Sequence, residues 1–371
     1  MDNNKNTKSR VSIYVKGDRN SPDYYRIHQY LDRIDNVVCT YHLMMPPSVY
    51  RFFMPVSGQP IGIQLVIALL IYFRMLWAIG KDLFSKPDYI VIFRRITPRF
   101  MPLPIRWTLK YLKNKGTRIY WDFDDDILEF KEVRQKDFLF LENLADRIVV
   151  THDTLCQLVS IEHQSKVVIL PTTDGDMYTI FREEPINQER EQTLQTCVRI
   201  IWLGVSVNLP YLQTVIPILD KAAKRLGETY NKNTELTVVC NKPLCCNTSY
   251  LTIRNVVWTK ERAVQEMRKA HIGIMPLSDS KAARGKGGFK LVQYLSMGIP
   301  CIGSDVGYNK CVITPKCGFI VAAPDSTGWI EAVEKLSDGL LWKQYSKNAY
   351  NRWEEAFSFE YNLENWKNWF K

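Results

Sequence analysis

The chain has 371 residues, 46% of them hydrophobic, enough to bury two ordinary cores, so two domains of somewhat under 200 residues each are expected. Its net charge of +10 is uneven: residues 1–115 hold 18 Lys/Arg against 7 Asp/Glu, and the remainder sums to about neutral. A basic face attracts nucleic acid or an anionic membrane, but the absence of a zinc-finger or aromatic RNP pattern argues against nucleic acid as a partner.

Nine cysteines with no CxxC spacing suit reduced thiols in a cytoplasm. The opening Met1-Asp-Asn-Asn-Lys-Asn lacks the apolar core of a signal peptide. These features lead us to expect a cytoplasmic protein held peripherally at the inner face of the cell membrane.

In chain order, Ser12–Val15 is predicted as a strand, Asp23–Ile34 as a helix and Val37–Tyr41 as a second strand. The polar turn between the first strand and its helix is where an α/β sheet opens its ligand crevice, which makes Arg19 and Arg26 candidate acceptor or phosphate contacts. Residues 61–79 are the most hydrophobic stretch and approach the length of a membrane span. Gln64 and Arg74 lie inside it, and a buried arginine costs several kcal/mol on insertion scales. The expectation is a buried or membrane-surface helix. The aromatic residues Tyr50, Phe52, Phe53, Tyr72, Phe73, Trp77 and Trp107 interleave with the basic ones, as at a membrane interface.

Tyr89–Phe93 is a third strand, followed by Arg94-Arg95 and a helix near 103–114. The strand beginning at Arg118 ends in four acids, Asp122, Asp124, Asp125 and Asp126. Such a cluster can bind a cation, hold an acceptor hydroxyl or cap the next helix. Strands are expected at 147–151 and 166–170 with a helix at 154–162 between them. His152 sits at a strand's carboxyl end, where catalysis is common in open sheets. The polar stretch 173–197 has no strong apolar period and reads as a linker.

The second half repeats the pattern. Strands are expected at 199–204, 235–240, 255–258, 272–276, 300–303 and 318–322, with helices at 209–226, 261–270, 287–297 and 327–337. Alternation of this kind implies right-handed crossovers and a parallel sheet covered on both faces. Within it, Lys281-Ala-Ala-Arg284-Gly-Lys286-Gly287-Gly288-Phe289-Lys290 opens a helix through glycines, with Lys286, Lys290 and Gln293 on one predicted stripe. Lysines stand where a helix start already carries positive charge, and no Asp or Glu occurs between Asp279 and Asp305. A phosphate or diphosphate is the expected counter-ion. A solvated basic face is the bland alternative.

The segments Ile272–Leu277, Gly285-Lys286, Phe289–Pro300 and Ser304–Asn309 together resemble the donor-site signature of glycosyltransferase family 4. The resemblance implies an α/β chain of two Rossmann-like domains in the GT-B arrangement, facing a central cleft. It also implies a retaining transfer from a nucleotide-sugar to a lipid-linked or polysaccharide acceptor, as in bacterial capsule or lipopolysaccharide synthesis. The boundaries expected are an acceptor-side domain at 1–172, a linker at 173–197, a nucleotide-sugar domain at 198–350 and a C-terminal helix at 351–371 crossing back to the first domain.

On that resemblance Lys286 and Lys290 stabilise the leaving diphosphate. Ser206, Asn208, Arg284, Gly287, Gly288 and Phe289 support it, Gln293 holds ribose and Trp258 the base. Asp122-Phe-Asp124-Asp125 is similar to an acceptor-side element of a bacterial subgroup, which casts Asp124, Asp125 and His152 as active-site residues. No metal or other cofactor is expected. The chain departs from the common pattern in lacking a cation in Gly204-Val-Ser206-Val-Asn208, and in placing Gly285 and Gln293 where two glutamates stand in many members. A subunit that binds nucleotide-sugar without turnover, or a nucleotide-sugar epimerase, is the alternative.

Overall fold

The structure is a computed structural model, and it describes residues 8–17, 23–45, 59–177, 184–322 and 326–371. Arg19 and the aromatic residues Tyr50, Phe52 and Phe53 lie outside the described residues. The chain divides into two units, Met1–Thr172 with Glu360–Lys371, and Thr173–Phe359.

The first unit is built on a parallel six-stranded sheet: β1 (Ser9–Val15), β2 (Val37–Leu43), β3 (Tyr89–Phe93), β4 (Arg118–Phe123), β5 (Arg147–Val150) and β6 (Val167–Ile169), in the order β2-β1-β3-β4-β5-β6. Runs such as Tyr89-Ile-Val-Ile-Phe93 are buried on both sides, as expected where helices cover both faces of a parallel sheet. One face packs against the helices Ile61–Ser85, Leu103–Asn114 and Gln135–Leu144, whose Ile71, Met75, Ile105, Leu109 and Leu141 join Ile90, Ile92, Ile119 and Trp121 in one core. The other face takes the aromatic tail of the chain. The Tyr120 hydroxyl donates to the Trp369 carbonyl at 2.9 Å, and Trp366 and Phe370 are buried.

The long Ile61–Ser85 helix is long and apolar enough to cross a membrane by length and composition, and only part of it is covered. Two of its polar side chains tie it to the sheet. Asp82 accepts from the hydroxyls of Ser12 and Tyr14, and Arg74 donates to the Leu43 carbonyl at 2.7 Å.

The second unit repeats the plan with β7 (Cys197–Leu203), β8 (Asn233–Cys240), β9 (Leu251–Val257), β10 (Ile272–Met275), β11 (Cys301–Ser304) and β12 (Gly318–Val321), all parallel, in the order β12-β11-β10-β7-β8-β9. The stretch 173–197 is not structureless: it holds a helix, Glu184–Leu194. This helix is anchored by Arg190, which is buried and donates to the carbonyls of Met267, Arg268 and Met297. In place of the expected helix at 154–162 there is a short turn of helix, Asp153–Cys156, and a second one, Ile161–Lys166.

Candidate functional sites

In an open parallel sheet, ligands bind beyond the carboxyl ends of the strands, where the strand order reverses direction. In the second unit that reversal falls between β7 and β10. The turn after β7 is pinned by Asn241 at the end of β8. Its Oδ1 accepts from the Ser206 N–H at 2.7 Å and its Nδ2 donates to Ser206 Oγ at 3.2 Å. Asn208 follows in the same turn, and Lys286 Nζ donates to Asn208 Oδ1 at 3.1 Å. That bond closes the reversal point from the opposite side. The Tyr211 ring lies 5.8 Å from the same ammonium group.

The helix behind this turn begins at Phe289, not two residues earlier. Gly288 caps it with φ +66, a left-handed conformation that costs a side-chain-bearing residue about 1 kcal/mol or more. Lys286 therefore lies in the turn rather than on the helical stripe predicted for it. Lys290, one residue into the helix, holds its ammonium 5.8 Å from the Trp202 ring. The first-turn N–H groups of a helix have no partner within it and carry the positive end of its dipole.

The sequence signature has packing reasons. A Cβ on Gly273 would lie 2.4 Å from the Tyr294 ring, so only glycine lets β10 pass that close. Tyr294 in turn accepts the Leu203 N–H at 2.9 Å, which ties the helix of Lys290 to the end of β7. Ser304 Oγ accepts from the Leu277 N–H, and Asn309 donates to the carbonyls of Met275 and Ser304, locking the next loop beneath.

Two residues of the expected site have partners that their spacing does not indicate. Arg284 lies in a separate short helix, Lys281–Arg284, and forms a two-pronged pair with Asp279 at 2.6 and 2.7 Å. A carboxylate just outside the acid-free stretch thus supplies its counter-ion. Gln293 is 8% exposed, and its amide donates to Asp174 Oδ2 at 3.1 Å. Burial pushes the Asp174 carboxyl up from its usual range. Trp258 stands exposed just beyond β9, its backbone N–H donating to the Cys240 carbonyl.

In the first unit the reversal falls between β1 and β3. Here Arg94 dominates, and sequence reading assigned it no role. It adopts φ +58 without being glycine, a conformation that persists only where its surroundings over-determine it. They do: its guanidinium donates to Asp124 at 2.7 Å, Asp125 at 2.7 Å and Glu132 at 2.8 Å, while its carbonyl accepts from the Trp121 indole. These acids raise the Arg94 pKa against the opposing effect of burial, and Arg94 together with Arg95 holds the Glu132 carboxyl below its ordinary value although burial alone would raise it.

Arg26 is not presented to an acceptor. It is buried and grips Asp122 through two bonds of 3.0 and 2.7 Å. Asp126 caps no helix; it pins the turn that follows β4, accepting from the N–H groups of Leu128 and Glu129, and the next helix starts only at Gln135. His152 is buried immediately after β5, and the preceding Thr151 hydroxyl donates to the Asp124 carbonyl, so Asp124, Asp125 and His152 occupy neighbouring strand ends. Among the described residues, no group of three or more His, Cys, Asp or Glu is arranged to hold a metal ion.

Two doubly covered parallel sheets with this strand order define a pair of Rossmann-like domains, the GT-B fold. Residues 200–338, all in the second unit, match the family model for glycosyl transferases group 1. No curated protein matches the chain. Among solved structures, HepE from Anabaena in complex with UDP has a TM-score of 0.62 at 12% identity, covering 97% of this chain and 98% of that one. Sucrose-phosphate synthase from Thermosynechococcus elongatus gives 0.58 at 10% identity, with 98% of each chain covered. UDP-GlcNAc 2-epimerase from Methanocaldococcus jannaschii gives 0.51 at 13%, covering 89% of this chain and 93% of that one. At such identities the likeness is one of fold.

Proposed function

We propose that the protein transfers a sugar, with retention of anomeric configuration, from a nucleoside diphosphate to a lipid-linked or polysaccharide acceptor in cell-surface glycan synthesis. It would act in the cytoplasm, peripherally at the inner face of the membrane. The reading rests on the bridge between Lys286 and Asn208 across the strand-order reversal, beside a glycine-capped helix start that carries Lys290. As the glycosidic bond breaks, negative charge builds on the departing diphosphate, and fixed cations with helix-start N–H groups lower that barrier. Lys286 and Lys290 take this role, with Ser206, Asn208, Gly287, Gly288 and Phe289 shaping the cradle. Gln293, its amide nitrogen already committed to Asp174, would offer its oxygen to a ribose hydroxyl. Trp258 would face the base, and Asp124, Asp125 and His152 the acceptor.

Since lysines supply the positive charge, transfer should survive EDTA. UDP is the first nucleotide to test, because the Anabaena protein of the same fold is described with UDP bound. A thermal-shift series with UDP, GDP and ADP reads binding directly, because a ligand specific to the native state raises its melting temperature. Sugar release from the matching donor then reads turnover. No stabilisation by any nucleoside diphosphate would overturn the proposal. Stabilisation with an inverted sugar still attached to its nucleotide would replace it with an epimerase.

A further inference from the structure

The long Ile61–Ser85 helix presents two unlike faces. Ile67, Ile71, Met75, Ala78, Ile79 and Asp82 are buried against the sheet. On the opposite side Val66, Leu69, Leu70, Phe73 and Trp77 are exposed in a stripe at three- and four-residue spacing, with Phe73 at 69% and Trp77 at 65%. The neighbouring Leu103–Asn114 helix packs beside it on the same sheet face and repeats the pattern, with Leu103 and Trp107 exposed, the latter at 64%. Monomeric soluble proteins rarely leave so continuous an apolar surface uncovered.

The charges around the stripe are predominantly positive. Residues 61–117 hold 10 Lys/Arg and 2 Asp/Glu, and one of those acids, Asp82, is buried. Lys81 lies over the Trp77 ring at 3.5 Å, while Arg99, Lys110 and Lys115 are exposed. Apolar bodies with tryptophans among exposed cations match a bilayer interface with anionic headgroups, where each cation near the surface adds attraction.

We propose that the exposed stripe of the Ile61–Ser85 helix, together with Leu103 and Trp107, is a docking face for an anionic lipid bilayer. The helix lies in the plane of the interface and does not cross it. Its fixed underside decides between these two. Crossing would require Asp82 to leave the hydroxyls of Ser12 and Tyr14, Arg74 to leave the Leu43 carbonyl, and the sheet to lose its cover. This inference deepens the peripheral-membrane part of the function proposed above and is independent of the nucleotide site.

The test is flotation of the full chain with phosphatidylcholine vesicles, with and without phosphatidylglycerol. Binding should need phosphatidylglycerol, weaken in salt and be released by alkaline carbonate. The combined variant Phe73→Ser, Trp77→Ser and Trp107→Ser should lose about tenfold in partition per aromatic removed, and Lys110→Glu with Lys115→Glu should mimic high salt. Trp77→Phe with Trp107→Phe keeps the apolar bodies and should float like the wild type, while losing quenching by brominated lipid. All of these positions are exposed, so the melting temperature and its rise with nucleotide should persist, keeping failure of docking distinct from failure of the donor site. Retention through carbonate would mean a span, and a lipid-independent dimer broken by the triple variant would mean a second copy as occupant. Either result overturns the proposal, as does undiminished flotation of the triple variant.

Discussion

At the carboxyl edge of the first sheet, cations and carboxylates are matched: Arg94 is enclosed by Asp124, Asp125 and Glu132, and Arg26 grips Asp122. At the same edge of the second sheet, Lys286 leans on an amide and a phenol ring, and Lys290 lies near an indole. The difference separates two uses of charge. A matched pair buried as Arg26 and Asp122 are holds strand ends in place, and removing one member strands the other in a poorly solvating interior. Lys286 and Lys290 stand instead at a glycine turn and a helix start, where an anion is favoured, so their removal should register in ligand binding and rate more than in melting.

The sharpest test of the matched side is Arg26→Met, which leaves the buried Asp122 carboxylate uncompensated. It should cost roughly 3–5 kcal/mol and lower the melting temperature of the first unit by roughly 10 °C, as calorimetry would resolve. A shift of a degree or two would mean that the pair is not holding the sheet. On the other side, Lys290→Ala should lower donor turnover by about 10²–10³-fold while costing the ligand-free melting temperature less than Arg26→Met does. A melting loss as large as that of Arg26→Met would erase the contrast.

Acidification should act in opposite directions on one buried group in each unit. Burial raises the Asp23 carboxyl in the first unit to about 6, above its ordinary 3.8, despite the N–H of Gly17 it accepts. The folded state therefore binds that proton more tightly, and this contribution to stability falls as pH rises from 4 through 6. His271 in the second unit is the reverse. Burial and the nearby Arg190 lower it to about 3, and its Nδ1 accepts the Arg199 N–H. The unfolded state binds that proton more tightly, so stability is lost as pH falls below about 6.5. In melting profiles between pH 4 and 7, Asp23→Asn should flatten the profile in one sense and His271→Asn in the other; parallel profiles for both variants would contradict the assignment. The smallest effect belongs to Arg284→Ala. Its partner Asp279 is as exposed as itself, so turnover should stay within about twofold.

Much of this architecture is legible in the chain itself. The runs Tyr89–Phe93 and Ile272–Met275 announce buried parallel strands because they are apolar on both faces. β9 begins four residues before its expected start because its pattern is mixed at the sheet edge. The helix Glu184–Leu194 escapes a hydrophobic period because its buried anchor is an arginine seeking carbonyls. In the sites, a lysine-rich glycine turn is a local signal, so Lys286 and Lys290 stand out. The Arg94 cluster is assembled from β3, the turn after β4 and Glu132, and no spacing rule reports such a meeting. Asp279 paired with Arg284 is a near miss, lying at the very border of the acid-free stretch.

The contact between Gly273 and Tyr294 has a further implication. Because the hydroxyl of that tyrosine also accepts the Leu203 N–H at the end of β7, a single added methyl at 273 would push on a lever whose far arms are the Lys290 helix and the Ser206 turn. A defect in catalysis could therefore originate wholly inside the core, with every group that meets the substrate still chemically intact.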